Sequence, residues 1–143
     1  MVIRRTSTRR LAVASATALV LALGVWTAGP ATAAMDSNCS LYVSDPTDDD
    51  TYVYSTSSVY CVTVYDSTVV QVGNMIQESA LGVWQTRAGW VYKYQAAGYT
   101  SLSIGQKASC NGHGTDTWRG VGEGRTSDNG ETITPGTPRS VTC

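Results

Sequence analysis

Acid–base chemistry in this chain could come only from His113, its one histidine, and a few carboxylates. His113 lies in Cys110-Asn111-Gly112-His113-Gly114-Thr115-Asp116, held between glycines and close to a cysteine. Nucleophilic catalysis needs such a base beside a serine or thiol. Asp116 can orient this histidine only if the loop folds back on itself. A triad is defined by geometry, and no spacing here supports one, so the expectation is a turn tip with an exposed histidine. Glu78, Asp116, Glu123 and Asp128 are the candidates for a glycosidase carboxylate pair, which can come from separate strands. None has a distinctive context, and a small domain leaves little room for a cleft. They read as exposed, solubilising acids, and no catalytic residue is assigned.

Two further patterns point to ligands and fall short. Asp45, Asp48, Asp49 and Asp50 in DPTDDDTY offer hard oxygens of the kind calcium takes. The EF-hand glycine and distal glutamate are missing, so an acidic turn is the preferred reading and no metal is assigned. Gly120-Val121-Gly122-Glu123-Gly124 does not match G-x-G-x-x-G, and no helix follows to meet a phosphate. Those glycines instead mark a strand that bulges or runs close to another backbone. No cofactor is implied.

Aromatic residues carry the stronger signal. Beyond residue 33 there are eight tyrosines and three tryptophans, and the chain has no phenylalanine. Tyrosine ends an apolar ring in a hydroxyl, which suits partly wet surfaces. Strand geometry places Trp90, Tyr92 and Tyr94 on one face, with Val91, Lys93 and Gln95 on the other. Because Lys93 and Gln95 mark a wet face, the aromatic stripe is expected to form one wall of the core; the alternative is a binding platform. Tyr52 and Tyr54 form a second pair, with Val53 between them as the core residue. Trp118-Arg119 adds two residue types enriched at interface hot spots, although packing on a disulfide accounts for Trp118 equally well.

The elements that must position these residues are strands. Leucine is scarce, while valine, threonine and tyrosine favour a pleated, half-buried surface. Alternating runs occur at Thr51–Tyr54, Val59–Tyr65, Thr68–Val72, Trp90–Gln95, Thr115–Arg125 and Arg139–Cys143. Turn signals separate them at Asp45-Pro46, Gly73-Asn74, Ala97-Gly98, Asn111-Gly112, Asp128-Asn129-Gly130 and Pro135-Gly136. Met75–Leu81 is the one stretch compatible with a helical turn. The expected fold is all-β, a small disulfide-stapled β-sandwich or partly open barrel. The immunoglobulin spacing is not met, since Trp84 lies far beyond Cys61 and position 108 is alanine.

Compartment follows from the N-terminus. Arg4, Arg5, Arg9 and Arg10 precede an apolar run from Leu11 to about Trp26, then Gly29-Pro30 and Ala31-Thr32-Ala33-Ala34. A charged start, a short apolar stretch and an A-x-A site make a secretory signal. The run is short of the ~20 residues that span a bilayer. Residues 1–33 are therefore expected to be removed by cleavage after Ala33 or Ala34, leaving residues 34–143 as a single secreted β domain that is not inserted in a membrane. Removal takes four arginines with it, leaving six basic residues against eleven acids, a net charge of about −5. That disfavours nucleic acid, whose affinity rests on neutralising phosphates. All four cysteines, Cys39, Cys61, Cys110 and Cys143, lie in this part, an even count that reads as two disulfides. Of the three connectivities, Cys39–Cys61 with Cys110–Cys143 is favoured.

These features together indicate a secreted, non-enzymatic binding module. Its expected partner is an extracellular protein, met as an inhibitor of a secreted enzyme or as an adaptor. Trp90, Tyr92, Tyr94, Trp118 and Arg119 are the candidate binding residues. A carbohydrate-binding module recognising a polysaccharide is the alternative, and a small hydrolase comes third.

Overall fold

The computed structural model describes residues 30–35, 38–62, 68–95, 100–127 and 130–143. Outside them lie most of the expected signal segment, Thr63–Tyr65 of one expected strand, the Ala97-Gly98 turn, and Asp128 with Asn129. The fold is all-β, as expected, and is built from two five-stranded sheets. One sheet contains β1 (Ala31–Ala34), β2 (Cys39–Val43), β3 (Thr47–Asp48), β4 (Tyr52–Cys61) and β7 (Ser101–Ser109). The other contains β5 (Val69–Ala80), β6 (Val83–Tyr94), β8 (Thr115–Thr126), β9 (Glu131–Pro135) and β10 (Arg139–Thr142). All the ladders between them are antiparallel.

Two long strands organise the layers. β4 pairs along one side with β7 and along the other with β2 and β3. β8 pairs with β5 on one side and with both β10 and β9 on the other. β6 closes one edge of the second sheet. The inward residues of β4 alternate as the period of a strand requires, so that Val53, Ser55, Ser57, Val59 and Cys61 are all buried.

The glycines of β8 set how closely the sheets meet. A side chain at Gly120 would collide with Ser55, and one at Gly122 would lie 2.5 Å from Val43 Cγ2 and 2.8 Å from Ser57 Oγ. At Gly124 a Cβ would sit 2.8 Å from both Val59 Cγ2 and Met35 Cε. Of the two readings of this run, a bulge or a close backbone approach, the structure shows the close approach. Beside it on β5, buried Asn74 donates across to Ser57 Oγ at 2.7 Å and to Ser55 Oγ at 3.3 Å. This narrow, polar waist divides the core. On one side lie Cys39, Leu41, Val59, Cys61, Val69, Val72 and Leu102; on the other, Val53, Ile76, Ala108, Cys110, Trp118 and Val141.

Each half of the core carries one disulfide. Cys39–Cys61 joins directly opposite residues of β2 and β4, and Cys110–Cys143 joins the end of β7 to the C-terminus. This is the favoured connectivity, and the described residues contain no free cysteine.

Two local expectations are corrected. Met75–Leu81 is not helical, because β5 runs through it to Ala80 and turns at Leu81-Gly82. Both turn residues have positive φ, 54° and 79°, as a two-residue type I′ hairpin needs. Leucine is a poor residue for that position, so the turn left no sequence signal. Gly73-Asn74 likewise lies mid-strand in β5: Gly73 leaves space for aromatic rings from β6, and Asn74 serves the waist.

Three substitutions test this account. Gly120→Ala should lower unfolding stability in urea by about 1–3 kcal/mol through overpacking. Gly130→Ala, where a Cβ meets nothing within 4 Å, should change it by less than about 0.5 kcal/mol. Leu81→Asn should raise stability by about 1 kcal/mol, because asparagine tolerates the left-handed backbone.

Candidate functional site

The outward face of the second sheet collects the aromatic residues. Its orientation follows from β8: with Gly120, Gly122 and Gly124 pointing at the first sheet, Arg119, Val121 and Glu123 point away. Register places Gly73 beside Glu123, Met75 beside Val121 and Gln77 beside Arg119, and it sets Tyr92 against Gly73 and Tyr94 against Gln71. Ile133 of β9 stands next to Glu123 on the same face and is exposed.

Trp90, Tyr92 and Tyr94 form a continuous row on this face. The Trp90 and Tyr92 rings are 5.8 Å apart and inclined by only 16°, and Tyr92 and Tyr94 are 6.0 Å apart at 33°. Tyr92 leans across β5, where a Cβ on Gly73 would lie 2.7 Å from its ring and 3.3 Å from the Trp90 ring. It ends on β8, donating its hydroxyl to Glu123 Oε2 at 2.9 Å. Glu123 Oε1 accepts from Gln71 Nε2 at 2.6 Å. The ring is thus held flat by a missing side chain beneath it and a carboxylate at its tip. Burial first, then the Glu123 bond and charge, push the Tyr92 phenol up to about 12.

This placement corrects the expectation that the stripe is core. Tyr92 is 37% exposed and Tyr94 68%. The inference failed because β6 is a sheet edge, where even the inward-facing Lys93 reaches solvent. A wet residue on one face of an edge strand does not make the other face dry. Further along the face, the Arg119 guanidinium lies 4.0 Å from the centre of the Trp84 ring, a cation–π contact, and its Nε donates to Gln77 Oε1 at 2.9 Å. Trp84 was not among the expected site residues; its place on this face depends on the β5–β6 register. Trp118, expected as a binding residue, is fully buried with Cys110 in the core and is closed to any partner.

The acids are corrected too. Glu78 and Glu123 are buried, at 1% and 4% exposure, not solubilising surface groups. Glu123 supports Tyr92, while Glu78 binds Arg87 Nε at 2.5 Å and contacts His113 Nδ1 at 2.9 Å. His113 is half-buried behind the Asn111-Gly112 turn and meets Trp118 edge-on at 5.8 Å. The loop does fold back, so that Asp116 comes near it, with Glu78 added from β5. No sequence spacing links Glu78 to His113, because the β5–β8 register makes that contact.

In the acidic turn, Asp49 accepts from the Thr51 and Tyr52 amides and from the Tyr54 hydroxyl. The Tyr54 bond, then the amides, holds its carboxyl below the usual range. Asp45 pairs with Arg139, tying the β2–β3 connection to β10. Tyr52 and Tyr54 flank buried Val53 as expected, and Lys107 Nζ lies 4.1 Å from the centre of the Tyr52 ring. A shallow cleft of about 290 Å³ opens beside them, lined by Tyr54, Ser55, Thr56, Gly105, Gln106 and Lys107.

No protein-family model matches this chain, and no curated protein matches it.

The Tyr92 geometry has a titration consequence. Its raised pKa means the folded state keeps a proton that the unfolded chain releases near 10. The stabilisation is complete below pH 10 and is lost as pH climbs toward 12. In an ultraviolet phenolate titration Tyr92 should therefore ionise late, as should Tyr54, whose bond to Asp49 also raises it. Tyr92→Phe should reduce the late absorbance change by one phenol's worth. An undiminished late step in the variant would refute the assignment.

Proposed function

We propose that this chain is a secreted, non-enzymatic binding module whose partner is an extracellular protein, bound on the outward face of the second sheet. The carrying observation is the row Trp90-Tyr92-Tyr94, half-buried at Trp90 and exposed at Tyr92 and Tyr94, held flat over Gly73 and continued by Met75, Ile133, Trp84 and Arg119. Tryptophan, tyrosine, methionine and arginine are the residue types that interfaces enrich. A contiguous apolar patch on a small domain marks an interaction surface. Rings already held in place lose little freedom on binding, which lowers the entropy that association must overcome.

Secretion is supported by the N-terminal pattern and by two disulfides, which persist in oxidising compartments. Cleavage after Ala33 or Ala34 removes most or all of β1 and leaves β2 as the edge of the first sheet. Non-enzymatic action is supported by how the polar groups are used: Glu123 and Asp49 each hold a tyrosine, and Asp45 holds an arginine.

A polysaccharide is the second reading, favoured by one observation: the near-parallel Trp90 and Tyr92 rings present a flat apolar surface to which a sugar ring could stack. The two are separated by capture on the immobilised domain from its own culture fluid and on insoluble polysaccharides. A stoichiometric protein partner is expected. Trp90→Ala and Tyr94→Ala should each weaken its binding by at least about 30-fold, the size of a hot-spot loss. Tyr60→Ala, on the other sheet, should leave it unchanged. Undiminished capture by both aromatic variants overturns the assignment of this face, and retention on polysaccharide alone replaces the protein partner.

A further inference from the structure

At one end of the sandwich, beside the Cys110–Cys143 disulfide, three ligand-type side chains converge from separate parts of the chain. Glu78 comes from β5, His113 from the turn after β7, and Asp116 from the start of β8; a donor atom from each lies within 4.8 Å of the others. Glu78 is 1% exposed, and its Oε2 is taken by Arg87 Nε. Its Oε1 is buried without a hydrogen bond, and its 2.9 Å contact with His113 Nδ1 is an ion pair only when the imidazole is protonated. A buried carboxylate oxygen left in that condition is costly. It points toward the imidazole, where a bound cation would satisfy it.

We propose that Glu78, His113 and Asp116 bind a zinc ion, with water completing the coordination. The donor set decides the metal. Calcium and magnesium take oxygen ligands, whereas an imidazole nitrogen with carboxylates suits zinc. Tetrahedral zinc with bonds of about 2.0–2.2 Å sets its donors roughly 3.3–3.6 Å apart. Small rotations of His113 and Asp116, both partly exposed, would open the 2.9 Å Glu78–His113 contact slightly and bring the set to that spacing. Arg87, on the far oxygen of Glu78, orients the buried ligand as outer-shell partners do. The neutral imidazole would bind through Nδ1 and carry its proton on Nε2. The ion would tie the turn between β7 and β8 to β5, in the same half of the core that the Cys110–Cys143 disulfide closes. This site lies apart from the aromatic face, and neither reading depends on the other.

Calorimetric titration of the full, disulfide-bonded domain with zinc chloride after dialysis against chelator tests the proposal. One equivalent of zinc is expected, with a rise in thermal midpoint as the ion binds the folded state. His113→Ala and Asp116→Asn should each weaken binding by at least about tenfold and reduce the midpoint shift. Both lie at or beside an exposed turn, and circular dichroism with a free-thiol assay confirms that each variant is folded. If His113→Ala fails that check, Asp116→Asn alone decides. No heat and no midpoint shift up to millimolar zinc would overturn the site. So would stoichiometric binding unchanged in the folded variants, or calcium binding as tightly as zinc.

Discussion

The close approach of two sheets across the glycines of β8 is the constraint on which the rest of this molecule depends. Gly120, Gly122 and Gly124 present bare backbone to Ser55, Val43, Ser57, Val59 and Met35. Where a sandwich ordinarily fills its interior with side chains from every inward position of both faces, here β8 contributes none at its middle. Little apolar volume remains there, and the Asn74–Ser55–Ser57 hydrogen bonds occupy the gap. The apolar core is split into two small clusters. Each cluster contains one disulfide, as suits a domain whose buried apolar area is limited.

The same strand organises the outer face. Because its glycines point inward, its larger residues, Arg119, Val121 and Glu123, must point outward. Glu123 then becomes the anchor for a tyrosine that crosses β5, and β5 has a glycine at the crossing point. One inward-facing constraint and one outward-facing platform are thus two sides of a single alternating sequence. At the far end of the sheet, the β5–β8 pairing sets Glu78 beside Trp118, two residues from Asp116 and near the His113 turn. Both sites depend on that one ladder.

Some errors of sequence reasoning share a physical cause. The aromatic stripe was expected in the core because Lys93 and Gln95 mark the opposite face as wet, but alternation tells which residues share a face and not which face is covered. Coverage depends on whether the strand is central or at an edge, and β6 is at an edge. Trp118 shows the reverse: the same residue type, on a central strand and facing inward, is fully buried. Glu78 and Glu123 were expected on the surface because neither has a distinctive sequence context; in the fold Glu123 is met by Tyr92 and Gln71, and Glu78 has Arg87 on one of its two oxygens.

By itself the sequence determined the strand-rich class, the even cysteine count that reads as two disulfides, and the common face of Trp90, Tyr92 and Tyr94; it favoured one of three cysteine pairings and left the β8 glycines as either a bulge or a close backbone approach. These follow from local composition, period and spacing, which act over a few residues. Only the tertiary structure decided that this face is open, that Trp118 is closed, and that His113 meets Glu78. Those outcomes rest on strand order and register, contacts between residues tens of positions apart, and no local property of the chain encodes them.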